Sequence, residues 1–80
     1  MVLDDAIKEM IDIIQAACRD AEVKTVKMSD EEARLSVYAP AVEMIRIKVA
    51  TFQPAINLFN SERLDIQVFV YDRDAPPLKG

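Results

Sequence analysis

Cys18 is the one thiol in the chain, and a thiolate is a nucleophile and metal ligand in its own right. Histidine, the usual neighbour that activates it, is absent from all 80 residues. Cys18 also shares an apolar helical face with Ile11, Ile14 and Ala21, where a cysteine acts as a small hydrophobe. One cysteine can close neither an internal disulfide nor a zinc site. Asp30-Glu31-Glu32 gathers three carboxylates that could recruit a divalent cation. Calcium loops, however, need several oxygens at fixed offsets and a glycine at the turn. The only glycine is Gly80. The acidic run therefore reads as a solvated turn, and Asp72, Arg73 and Asp74 read the same way. Without an internal glycine there is also no loop of the kind that cradles a phosphate. No catalytic residue, metal site or cofactor site is expected.

The remaining chemistry lies in aromatics interleaved with cations. Phe69 and Tyr71 stand two apart in a run of strict alternation, and Tyr38 stands in another. If both runs are strands, the rings share a sheet face with Arg34, Ser36 and Gln67. A third alternating run adds Met44, Arg46 and Lys48 to that face. Tyr, Phe, Met and Arg are the residue types enriched in protein interfaces. The expected interface centres on Tyr38, Met44, Arg46, Phe69 and Tyr71. The same rings with Arg34, Arg46 and Lys48 would suit single-stranded nucleic acid.

The elements that must position these side chains follow from periodicity. Leu3, Ile7, Met10, Ile11, Ile14, Ala17, Cys18 and Ala21 recur at helical spacing, with Asp4 and Asp5 in the first turn where the helix dipole favours anions. A long helix over residues 3–21 follows. The stretch 23–28 is β-prone, and the polar 29–32 reads as a hairpin turn, with a Ser29–Glu32 capping box as competitor. Ala33, Leu35, Val37 and Ala39 alternate with polar neighbours, giving a second strand that ends at Pro40. Ile45, Ile47 and Val49 alternate as a third strand. Leu64, Ile66, Val68 and Val70 give the last. Pro54 suits a helix N1 position, so a short helix is expected over 54–60, with a strand at 55–59 turning at Asn60-Ser61 as the competitor.

The expected architecture is α+β in the order αβββαβ: the long N-terminal helix on one face of a mostly antiparallel four-stranded sheet, with a short helix before the last strand. Residues 1–73 make the single domain, and 74–80, with Pro76-Pro77, read as a flexible tail.

Composition bounds the function. Apolar residues are 51% of the chain, enough for a core. Net charge is −4, the reverse of a typical DNA-binding domain. Residues 1–32 hold nine acids and four bases, and 33–80 hold five acids and six bases. No apolar stretch is long enough to span a membrane, and the first charges, Asp4 and Asp5, do not fit a signal peptide. With a lone thiol, this points to the cytoplasm. A domain this small is marginal alone, and oligomerisation is the usual help where disulfides and metals are missing. The reading is a non-enzymatic protein–protein interaction module that self-associates or docks on a larger protein through the exposed sheet face. A single-stranded nucleic-acid binder using that face is the alternative, and a small enzyme working through carboxylates or a lysine is the third.

Overall fold

The computed structural model describes residues 1–74; of the flexible tail expected at 74–80, all but Asp74 lies outside the described residues. The element order is α1 (Leu3–Ala17), β1 (Glu22–Lys27), β2 (Glu32–Ala39), a short 3-10 turn (Ala41–Glu43), α2 (Met44–Glu62) and β3 (Asp65–Asp72). The class is α+β, with two helices and a three-stranded sheet in the order β1-β2-β3.

Helix α1 forms where the apolar spacing places it, and it buries Leu3, Ala6, Ile7, Met10 and Ile14. It ends at Ala17, earlier than the periodicity suggests, because Arg19 and Asp20 turn the chain into β1. Cys18 and Ala21 stay buried beyond its end. The hairpin forms and the capping box does not: the Met28 N–H donates to the Glu32 carbonyl at 2.9 Å, and the Glu31 N–H donates to Ser29 Oγ at 3.2 Å.

The expected third strand at 44–49 and the short helix at 54–60 are both replaced by one 19-residue helix, α2. Alternation over 44–49 is real, but Ile47, Thr51 and Leu58 also fall on one helical face, and that is the face that is buried. Burial overrides the weak helix propensity of the β-branched residues. Pro54 sits inside the helix and not at its start. It leaves the Ala50 carbonyl without its usual donor. One turn earlier, Thr51 Oγ1 donates to the Ile47 carbonyl at 2.9 Å.

Losing that strand changes the sheet. β1 and β2 pair antiparallel, but β2 and β3 are parallel, so the sheet is mixed. Parallel neighbours need a long crossover, and α2 supplies it. Its C-terminus closes at Arg63 in the left-handed conformation (φ 58°), and the Leu64 N–H reaches back to the Leu58 carbonyl at 3.3 Å. The Asp65 N–H then donates to the Glu31 carbonyl at 2.8 Å and starts β3 in register beside β2.

Both helices lie on one sheet face. Ala33, Leu35, Val37 and Ala39 of the central strand are all buried, and they join one core cluster with Met10 and Ile14 of α1, Ile47 and Leu58 of α2, and Ile66 of β3. The opposite face has no cover among the described residues. No helix of the described residues is long and apolar enough to cross a membrane.

Candidate interaction surface

Strand alternation and register decide which side chains share the uncovered face. Tyr38 lies opposite Tyr71, Ser36 opposite Phe69 and Arg34 opposite Gln67 across the parallel pair. On the other side, Glu22 lies opposite Tyr38, Lys24 opposite Ser36 and Val26 opposite Arg34. These nine residues pave the open face. The aliphatics of the same strands turn inward: Leu35 and Val37 are buried, and Val68 and Val70 pack against the core.

The rings are held by their neighbours. Tyr38 and Tyr71 stack with centroids 5.3 Å apart and planes 24° from parallel. Lys24 Nζ stands 5.3 Å from the Tyr38 centroid, and the Arg34 guanidinium stands 5.3 Å from that of Phe69. Such contacts at exposed sites contribute about 0.5–1 kcal/mol each, enough to order the side chains but little for the fold. Phe69 is 41% exposed and Tyr71 45%. The centre of the face is thus aromatic, ordered and wet, with two cations at its edge.

Of the five expected interface residues, Tyr38, Phe69 and Tyr71 come together on this face. Met44 and Arg46 do not, because their strand does not exist. Both lie in the first turn of α2, where Arg46 Nη1 pairs with Glu43 Oε2 at 3.4 Å. Lys48 leaves the sheet face with them. Sequence reasoning missed Lys24 and Val26, since the alternation of 23–28 is imperfect and its outward side could not be chosen.

A second uncovered apolar surface was also missed. Helix α2 exposes Ile45 (74%), Val49 (70%), Phe52 (66%), Ile56 and Phe59 along one side. Their spacing of four, three, four and three residues was readable in the sequence as a helical stripe.

The polar groups form no comparable site. Cys18 is free and buried in the core cluster. Among the described residues no group of three or more Cys, Asp or Glu side chains is arranged to hold a metal ion. A cavity of about 470 Å³ at one end of the molecule is bordered by Met1, Asp4, Lys27, Asp30, Glu31 and Glu62. Two of its four acids are already paired, Asp4 with Lys27 and Glu62 with the Met1 ammonium. The hydrogen bond and charge of Glu62 hold that ammonium's pKa above its ordinary value. Arg73 ties the end of β3 to the α1–β1 turn, donating from Nη1 to the Asp20 carbonyl at 3.3 Å.

The chain matches no protein-family model, no curated protein and no solved structure.

Proposed function

We propose that this protein is a non-enzymatic interaction module of the cytoplasm that docks a protein partner on its open sheet face. The carrying observation is an ordered ring cluster on a sheet whose other face is filled by two helices: Phe69 and Tyr71 are solvent-exposed, and the half-buried Tyr38 stacks on Tyr71. Rings already held by stacking and by Lys24 and Arg34 lose little freedom when a partner covers them. Aromatic anchors with a cationic rim are the usual centre of a protein interface. The free, buried Cys18 suits a reducing compartment.

The test is photo-crosslinking in cells from Ser36, at the middle of the face. A defined partner should be captured by the wild-type chain and lost with Tyr38→Ala, while the circular dichroism stays native. Equal capture by both chains would sink the reading.

The cations over the rings also favour a second reading, in which the face stacks the bases of single-stranded nucleic acid. That reading requires a labelled oligonucleotide to bind at about 50 mM salt and to be released steeply as salt rises. The net charge of −4 works against it.

A further inference from the structure

We propose that two copies of this chain form a two-fold dimer in which their β3 edges pair antiparallel and their α2 stripes pack against each other. The inference does not rest on the function proposed for the open sheet face.

Helix α2 is apolar on two sides. One side carries Ile47, Thr51 and Leu58 into the core. The other carries Ile45, Val49, Phe52, Ile56 and Phe59 into water. A surface helix serving only its own core would be polar there. The alternating three- and four-residue spacing is that of a seam made for a second helix.

The neighbours of α2 show where this seam points. Pro54, Asn57 and Leu58 border Glu9, Met10 and Ile13 of α1. On the opposite flank, Phe52, Ala55 and Ile56 line a groove of about 320 Å³ with Val68 of β3. The seam therefore faces away from α1 and overhangs the outer edge of the sheet. That edge is β3, which pairs on its inner side with β2 and, among the described residues, with nothing on its outer side. Edge strands are normally blunted by lysine, proline or a bulge. The other edge, β1, carries Lys24 and Lys27, whereas β3 reads Ile-Gln-Val-Phe-Val-Tyr between Asp65 and Asp72. The lysine-guarded edge and the unguarded edge differ in the way expected if only the second is covered.

A second copy fits both features with one operation. Since α2 connects two parallel strands, it runs antiparallel to β3. A two-fold axis normal to the sheet and passing near Val68 reverses β3 onto β3 and α2 onto α2 together. Val68 is near the middle of β3, and the groove residues beside it, Phe52, Ala55 and Ile56, are near the middle of the seam. The same axis thus centres both contacts, as an isologous dimer requires. Antiparallel seams set Val49 against Phe59 of the second copy and Phe52 against Ile56 of the second copy. The product is a continuous six-stranded sheet with four helices on one side.

The test is sedimentation equilibrium of the full chain at micromolar concentration. The expected mass is twice 9.0 kDa. Phe52→Glu places a charge in the seam at a side chain that is already exposed. It should weaken the dimer by about 100-fold or more without unfolding the monomer. Hydrogen exchange should protect the outward amides of β3 in the dimer and release them in Phe52→Glu. A concentration-independent mass of 9.0 kDa overturns the proposal. So does a dimer that ignores Phe52→Glu, or one whose β3 edge exchanges freely. Tyr38→Ala, on the central strand, should leave the dimer mass unchanged, which separates this proposal from the docking role of the open face.

Discussion

Tyr38 and Tyr71 occupy directly opposed positions of the parallel pair β2–β3, and their rings stack at 5.3 Å on the open face. The stack links the central strand to the edge strand outside the core. Offset ring pairs are worth about 0.5–1.5 kcal/mol beyond their area. A double-mutant cycle with Tyr38→Leu and Tyr71→Leu should return a coupling energy in that range by urea unfolding. A coupling indistinguishable from zero would mean the rings merely lie side by side.

Leu35 is fully buried on the central strand beneath both helices, whereas Val42 is 87% exposed. Leu35→Ala should cost about 3 kcal/mol, which is most of the stability of a domain this small. Val42→Ala should change stability by less than about 0.5 kcal/mol. Thermal unfolding of the two variants checks the order, and the reverse order would contradict the position of the core.

Arg63 closes α2 with a φ of 58°, the only positive φ outside glycine among the described residues. A side chain there costs about 1 kcal/mol that glycine does not. Glycine gives some of this back by loosening the unfolded chain. Arg63→Gly should therefore raise stability by roughly 0.5 kcal/mol, a melting-point rise of about 2–4 °C. A fall in melting temperature would show that the Arg63 side chain holds the joint in some other way.

Cys18 is buried in the core. Its thiol should react with an aromatic disulfide reagent orders of magnitude more slowly in the folded chain than in guanidinium. Fast reaction of the native protein would place Cys18 in an open site.

How much of this was legible from residues alone differs by element. Helix α1 and strands β2 and β3 carry one dominant period each, and each forms close to where that period places it. Helix α2 carries two apolar sides, so its polar residues mark no single outward face, and its opening Met44–Val49 alternates as a strand would. Only the tertiary fold, which must cross from β2 to a parallel β3, resolves that conflict. The open face inherits the same division. Tyr38, Phe69 and Tyr71 were readable because their strands are, while Met44 and Arg46 were assigned to a strand that the fold does not make.

The parallel pairing of β2 with β3 also governs how the chain assembles. The hairpin partners of Leu35 and Val37 are Thr25 and Val23, on the strand just made, but their other flank waits for a strand that begins beyond the whole of α2. Until translation has passed residue 72, the middle of the core has a bare side. Closing that long loop is then the slow, entropically costly event. A nascent chain stalled before that point would be a sticky intermediate and a natural client for chaperones.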